Sequence, residues 1–404
     1  MKKIIKPCVV GLGYVGLPIF LKLCKSFTTC GYDLNKSRIK NLKKKRDVNL
    51  EFKKNDFVLK KKSFFTFTKK DIRDSNFFIV TVPTPITKNK KPNLKFIKIA
   101  IESIKNFLKK DDIVVLESTV YPGVTENFCG NILKNNKKKF ILNKDFFLGY
   151  SPERINPGDK KHSLKKINKI VSYPTKKCLE NFKLVYKNLG KKIIYTNSIK
   201  EAETAKVVEN IQRDLNIAFI NEIFIFCNKN KIQFDKVMEL ASTKWNFLNF
   251  KPGLVGGHCL PVDPYYFAEA AKKTGQKTKV TLSGRYINNY MTKFVSSLIL
   301  KTIDRKKLKK QRILLAGMTY KKDVPDFRNS LSIEIYNIVR KKYPNITAYD
   351  PYANSNTILG QKIKNKVQIK SYDLVFFLTE HSIFMKYKNK KSEKFIFIFG
   401  KNNK

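Results

Sequence analysis

The chain has no run of 18 apolar residues, no Cys-x-x-Cys pair, no internal repeat and no low-complexity tail. Each absence removes a class of protein. Without a long apolar run, no membrane-spanning helix and no membrane partner are expected. The seven cysteines (Cys8, Cys24, Cys30, Cys129, Cys178, Cys227 and Cys259) are odd in number and scattered. They form neither a disulfide framework nor a structural zinc site, so no metal is expected and the cytoplasm is the expected compartment. Without a solenoid period the fold is not a repeat array. Acidic residues are scarce too: 32 Asp and Glu against 83 Lys and Arg leave a net charge of +51. Such an excess suggests nucleic acid, yet the lysines run through nearly every segment instead of gathering on one arm or helix. That spread, with the abundance of Lys, Asn, Ile and Phe, reads as compositional skew. No dedicated nucleic-acid partner is expected, although basic patches would favour anionic ligands.

What is present is globular: 42% hydrophobic and 12% aromatic residues in a chain of 404, enough for about two to three domains. Met1-Lys2-Lys3 and the apolar run through Phe20 imitate a secretory leader. The run carries three glycines at motif spacing and no small-residue cleavage site, so it is read as part of the mature chain.

Residues 4–10 predict a short buried strand that runs into a glycine turn, with a helix over 17–26 and a second strand ending at Asp33. Strands are further predicted at Phe77–Val82, Ile113–Ser118 and Phe146–Tyr150, with a helix over 94–109. Alternating strand and helix is the mark of a parallel doubly wound sheet. From 199 to 230 the apolar spacing becomes that of one long helix. Helices around 233–242 and 281–302 and a charged linker over Asp304–Gln311 follow. Strands at Arg312–Gly317, Ile346–Asp350, Asp373–Thr379 and Phe395–Phe399, with a helix over 330–342, predict a second αβ unit.

Three groups of residues carry chemistry. Gly11-Leu12-Gly13-Tyr14-Val15-Gly16 lies between strand and helix, the context in which Gly-x-Gly-x-x-Gly binds a dinucleotide. Gly11 permits the tight turn, Gly13 lets backbone approach a pyrophosphate at the helix N-terminus, and Gly16 lets helix pack on strand. Asp33, about 20 residues on, is placed to bind a ribose hydroxyl and to repel a 2′-phosphate, which favours NAD. The loops Val82-Pro83-Thr84-Pro85 and Glu117-Ser118-Thr119-Val120-Tyr121-Pro122-Gly123 fall at the carboxyl edge of the same sheet. Ser151-Pro152-Glu153-Arg154 adds a carboxylate and a cation there. On the long helix, Lys206 and Asn210 stand one turn apart on a shared face, where an ammonium and an amide suit an oxyanion or a water. Finally, Gly256-Gly257-His258-Cys259-Leu260-Pro261-Val262-Asp263 sets a thiol in a glycine loop with a carboxylate four residues on. Cys259 reads either as a structural thiol or as a nucleophile approached closely by substrate. Asp263, rather than the adjacent His258, is its candidate polar partner.

These motifs, in this order, resemble the nucleotide-sugar 6-dehydrogenases of the UDP-glucose and GDP-mannose dehydrogenase superfamily. The likeness covers essentially the whole chain. The segments ESTVYPG from Glu117, YSPERINPGDK from Tyr150, Trp245-Asn246-Phe247 and GLVGGHCLPVDPYY from Gly253 are similar to the UDP-N-acetylhexosamine branch. The resemblance implies an α/β fold: two Rossmann-like doubly wound parallel-sheet domains joined by a central helical region with a long helix. The expected domains are an NAD-binding domain over 1–198, a helical dimerisation domain over 199–303 and a UDP-sugar-binding domain over 304–404. The implied partner is a UDP-N-acetylhexosamine, and the implied assembly a homodimer or larger homo-oligomer. The implied reaction oxidises the sugar C6 alcohol to a carboxylate with two NAD in turn, for surface polysaccharide.

In that scheme Cys259 forms a thiohemiacetal and then a thioester. Lys206 and Asn210 stabilise the oxyanion, Asp263 and Glu153 handle protons and water, and Thr119 orders that water. Tyr14, Val15, Arg38, Pro83, Thr84, Ser118 and Thr119 join the glycines and Asp33 around the cofactor. Glu153, Arg154, Lys206, Asn210, Lys251, Gly256, Arg285, Lys321 and Arg328 are implied to face the substrate, with Asn288 beside Arg285. Two departures stand out: Lys251 replaces a frequent arginine, and Gly400 follows the last strand where relatives often keep an aspartate. The acetamido configuration stays open between gluco and galacto. The rival substrates are UDP-glucose and GDP-mannose, and a catalytically silent NAD-binding scaffold is the rival of another class.

Overall fold

The computed structural model describes residues 4–59, 62–154, 166–306, 312–355, 357–388 and 392–400. The chain divides into two units, Met1–Glu209 with Tyr265–Gln276, and Asn210–Pro264 with Lys277–Lys404.

The first unit is built on an eight-stranded sheet. Its strands are β1 (Pro7–Val10), β2 (Cys30–Tyr32), β3 (Phe64–Thr66), β4 (Phe77–Val80), β5 (Asp112–Leu116), β6 (Phe146–Tyr150), β7 (Lys169–Ser172) and β8 (Ile193–Thr196), in the order β3-β2-β1-β4-β5-β6-β7-β8. The first six follow the doubly wound dinucleotide-fold order, which reverses between β1 and β4. β1, β4, β5 and β6 are buried at every position, as strands covered on both faces must be, which is why they are nearly all apolar. Their side chains alternate between two cores. Val9, Phe77, Ile79, Ile113 and Val115 pack with α1 (Gly16–Leu23), and Cys8, Val10, Phe78, Val80 and Val114 pack on the other face. The remaining helices here are α2 (Lys36–Lys43), α3 (Lys95–Lys105), α4 (Gly130–Lys134) and α5 (Lys176–Tyr186). The pairings are parallel except for β6 with β7, which meet antiparallel at Tyr150 and Ser172, a departure from the all-parallel expectation.

The long helix α6 (Ile199–Lys229) is followed by α7 (Phe234–Ala241), α8 (Asp263–Lys273) and α9 (Lys279–Arg305). Among the described residues, no helix is long and apolar enough to cross a membrane.

The second unit carries a six-stranded sheet: β9 (Ile313–Ala316), β10 (Thr347–Tyr349), β11 (Thr357–Ile358), β12 (Gln361–Lys364), β13 (Leu374–Phe377) and β14 (Phe395–Phe397), with α10 (Leu331–Lys342). Its order, β11-β12-β10-β9-β13-β14, again reverses beside the first strand, between β9 and β13. Only the β11–β12 hairpin is antiparallel. Ile313, Leu315, Leu374 and Phe376 face a core shared with α9 and α10, and Leu314, Ala316, Val375 and Phe377 face an aromatic one with Phe384 and Tyr387.

Most predicted elements are present with ends shifted by a few residues. Asp33 lies one residue beyond β2, its N–H bonded to Thr66 O. Asp304, expected in a linker, belongs to α9, where its carboxylate binds Lys342 and Tyr343. The remainder of that linker, 307–311, and residues 155–165 of the predicted Glu153 loop lie outside the described residues.

Candidate active site

At the β1–α1 turn, Gly11 adopts φ +93, a left-handed conformation that favours glycine. A Cβ on Gly16 would stand 1.8 Å from Gly11 O and 2.5 Å from Thr81 Oγ1, so helix and strand meet where a side chain has no room. A Cβ on Gly13 would meet nothing within 4 Å, so the turn is open on the side where a ligand would approach. Asp33 is fixed by two backbone donors: Leu12 N–H to Oδ2 and Asn35 N–H to Oδ1, each 2.8 Å. Arg38 donates Nε–H to Leu12 O (2.8 Å) and Nη1–H to the buried Asp47 (2.6 Å), leaving Nη2 buried without a partner. An open glycine turn, an anchored acid and an unpaired guanidinium nitrogen fit a dinucleotide. Tyr14 and Val15 lie in the same turn, half-buried. From the next strands, Thr81 Oγ1–H donates to Gly11 O at 2.6 Å, Pro83 is exposed, Thr84 and Thr119 are half-buried, and Ser118 Oγ–H donates to Val82 O at 2.6 Å.

Beyond the carboxyl ends of β5 and β6 sits a buried ionic cluster. Lys169, the first residue of β7, donates to Glu117 Oε2 at 2.7 Å and to Glu153 Oε2 at 3.1 Å. Tyr186 of α5 donates its hydroxyl to Glu117 Oε1 at 2.7 Å, and Arg154 N–H reaches Glu153 Oε1 at 2.7 Å. Burial opposes the charge on Lys169, yet Glu117 and Glu153 together raise its pKa. Burial also raises Glu117 against the pull of Lys169, and with Glu117 it pushes the Tyr186 phenol well up. The Arg154 guanidinium turns away to Glu209 and to Asn168 O.

Two buried groups on α6 complete the first unit's set. Lys206 is 7% exposed. One turn earlier on the helix, the fully buried Glu203 accepts N–H bonds from Gly123 (2.5 Å) and Thr125 (2.9 Å), holding the loop after β5. Burial lifts its pKa to about 7, against the pull of those bonds.

In the second unit the thiol loop is tightly built. Cys259 O accepts the N–H groups of Val262 and Asp263, both at 2.9 Å. Asp263, buried at the start of α8, accepts Asn210 Nδ2–H of α6. The predicted Asn210, Asp263 and Cys259 therefore come together, with Cys259 the one cysteine that is partly exposed. The two glycines before it admit close packing: a Cβ on Gly256 would lie 2.7 Å from Asn329 O, and one on Gly257 (φ +88) would lie 2.6 Å from the Tyr320 ring. Arg328 forks onto Asp326 and touches His258 at 3.2 Å. Lys251 is exposed and Lys321 half-buried. Arg285 is 1% exposed and donates Nη1–H to Asp214 and Nη2–H to Asn289, both at 2.6 Å, with its Nε buried and unpartnered, while Asn288 donates to Asp214 and accepts from Asn221. This pair ties α9 to α6.

Sequence reasoning passed over Lys169, Glu203, Asp214 and the pair Asp350–His381. Lys169 carries no signal of its own among so many lysines. Asp350 had one: it follows the second strand of the second αβ unit as Asp33 follows that of the first. Its Oδ2 accepts Met318 N–H (2.7 Å) and Thr319 N–H (2.9 Å), with His381 Nε2 at 3.1 Å.

Most of the length matches one family. The NAD binding domain of the UDP-glucose/GDP-mannose dehydrogenase family matches residues 5–190, its central domain 200–290 and its UDP binding domain 314–401. UDP-N-acetyl-D-glucosamine 6-dehydrogenase of Pseudomonas aeruginosa is 41% identical over 391 residues, 95% of this chain and 92% of that protein. Protein CapL of Staphylococcus aureus is 42% identical over 95% of this chain and 91% of its own length. The native structure of the UDP-N-acetyl-mannosamine dehydrogenase Cap5O from Staphylococcus aureus is similar at TM-score 0.79 and 31% identity, covering 94% of this chain and 89% of that one. With an intact dinucleotide turn and all three domains in order, the chain belongs to the UDP-glucose/GDP-mannose dehydrogenase family and is an NAD-dependent UDP-sugar dehydrogenase.

Proposed function

We propose that the chain oxidises C6 of a UDP-N-acetylhexosamine to the uronate through a covalent thioester on Cys259. The observation that carries this reading is the Asn210–Asp263–Cys259 arrangement, in which a buried amide and carboxylate are anchored to the loop of the one partly exposed thiol. NAD, bound twice in succession at the glycine turn with Asp33 and Arg38, would supply the acceptor for each of two hydrides. Lys206 and Asn210 stabilise the C6 oxygen as the alcohol loses its proton and becomes an aldehyde. The Cys259 thiolate adds to that carbonyl and gives a thiohemiacetal, whose oxidation leaves a thioester. Glu153 and Thr119 orient the water that cleaves the thioester, and Asp263 holds protons released beside the sulfur. Lys251, Gly256, Lys321 and Arg328 contact the nucleotide sugar, as do Glu153 and Arg154.

Arg285, whose buried Nε has no partner beside its bonds to Asp214 and Asn289, faces the substrate segment in this reading, with Asn288 beside it. The gluco acetamido sugar is favoured because a relative at 41% identity bears that name, against 31% for the mannosamine enzyme of solved structure. The seven free thiols support a reducing cytoplasm. Exposed Phe219, Phe226, Val280 and Tyr286 on α6 and α9 support a homo-oligomer, and the product would feed surface polysaccharide.

The test is NADH formation from UDP-GlcNAc, UDP-GalNAc, UDP-ManNAc, UDP-glucose and GDP-mannose. Two NADH per acetamido sugar are expected. Cys259→Ala should abolish uronate formation while NAD still binds. Steady turnover in that variant would remove the thioester.

A further inference from the structure

Leu12, the second residue of the glycine turn, is gripped from both sides. Its N–H donates to Asp33 Oδ2 and its carbonyl accepts Arg38 Nε–H, each at 2.8 Å. Asn35 links the same two residues again: its N–H donates to Asp33 Oδ1 at 2.8 Å, and its side chain accepts Arg38 N–H at 3.0 Å. An acid at the end of the second strand suits a ribose hydroxyl, whereas an arginine nearby accommodates a 2′-phosphate. This chain carries both side by side, so its choice of cofactor depends on where the guanidinium is directed.

The guanidinium is directed to Asp47. Nη1 donates to Asp47 Oδ1 at 2.6 Å, and the two side chains are 8% and 0% exposed. Asp47 does not rely on Arg38 for its place. Its Oδ1 also accepts Asn49 N–H at 3.1 Å, and its Oδ2 accepts the N–H groups of Glu51 (3.1 Å) and Phe52 (3.3 Å). Arg38 is the dependent partner, because a buried guanidinium is costly without an opposite charge. Its Nη2 has no partner among the described residues. Lys36, the other cation in the first turn of α2, holds its ammonium 5.6 Å over the Phe67 ring.

We propose that Asp47 is a positioning residue for cofactor choice: by anchoring the Arg38 guanidinium inward, it withholds from the ribose end the cation that would bind a 2′-phosphate. Asp33 repels that phosphate, and Asp47 removes the attraction that would offset the repulsion. Asp47→Asn keeps an oxygen for the loop N–H groups but loses the charge, which frees the guanidinium for an incoming phosphate.

The experiment is calorimetric titration of the full chain with NAD and NADP in an Asp33→Ser background, where the acid no longer masks the effect. Adding Asp47→Asn should raise NADP affinity relative to NAD about 10-fold or more, as a new hydrogen bond between charged groups does. With Arg38→Gln also present, Asp47→Asn should move the ratio less than about 2-fold, because the effect passes through the guanidinium. Arg38→Gln without Asp47→Asn should likewise leave the ratio in place, since Asp47 already holds the charge. Lost stability lowers both affinities together and does not move their ratio. A ratio unmoved by Asp47→Asn, or one that rises equally when Arg38→Gln is present, overturns the proposal. Should Asp47→Asn fail to fold, Arg38→Gln decides: a ratio that falls about 10-fold there means that the guanidinium already serves the phosphate, and overturns it as well. An Asp33→Ser chain that binds NAD as tightly as the parent refutes the reading of Asp33 as the ribose-binding acid, and the proposal with it.

Discussion

Glu203 makes a stability prediction that runs against the usual expectation for a hydrogen-bonded acid. It accepts two backbone N–H groups, and removing such an acceptor ordinarily destabilises. Its pKa, however, is raised from 4.5 to about 7 by burial. The folded first unit therefore holds a proton that the unfolded chain has already released across that interval. Stability is fully present below about pH 4.5 and is lost as pH rises to about 7. At about 1.4 kcal/mol per pH step, the loss amounts to about 3 kcal/mol. Glutamine matches the neutral carboxyl in shape and cannot ionise. Between pH 4 and pH 8 the parent should lose about 3 kcal/mol relative to Glu203→Gln, whose amide NH2, turned toward one of the two N–H donors, adds only a pH-independent cost of about 1–3 kcal/mol. Urea unfolding at the two pH values measures this by far-UV circular dichroism, since the single tryptophan, Trp245, lies in the other unit. Comparing the two chains at each pH cancels every other titrating group. Equal pH dependence in both would refute the reasoning.

Gly16→Ala should cost about 1–3 kcal/mol or more, because its Cβ falls 1.8 Å from Gly11 O; calorimetric NAD binding should vanish with it, and unchanged binding would deny the turn its role. Asp33→Ser removes the carboxylate anchored on Leu12 and Asn35. NAD affinity should fall about 10- to 100-fold, as expected for a lost charged hydrogen bond, while NADP gains relative to NAD; titration with both cofactors checks it.

How much was legible in the sequence depended on whether a residue's meaning is local. The glycine turn and Asp33 announce themselves, because their chemistry is set by neighbours in the chain. The buried strands did as well, since Phe77–Val80 and Asp112–Leu116 are almost continuously apolar. β7 escaped: it opens with Lys169, which reads as surface until Glu117 and Glu153 meet it from 52 and 16 residues away. β3, β8 and the β11–β12 hairpin are short and lie at sheet margins, where partial exposure blurs the pattern. Arg285 carried a motif resemblance, but its burial against Asp214 needed two helices in register.

The acid at the end of β10 bears on cofactor stoichiometry. Asp33 and Asp350 occupy corresponding places in two sheets of like strand order, each accepting N–H groups of a glycine turn. Asp33 stays partly open, whereas Asp350 is fully buried and also engaged by Tyr352 N–H and the buried His381. A ribose has no acceptor left to meet there. Two turns of dinucleotide type thus yield one dinucleotide site per chain, and NAD titration should saturate at one equivalent.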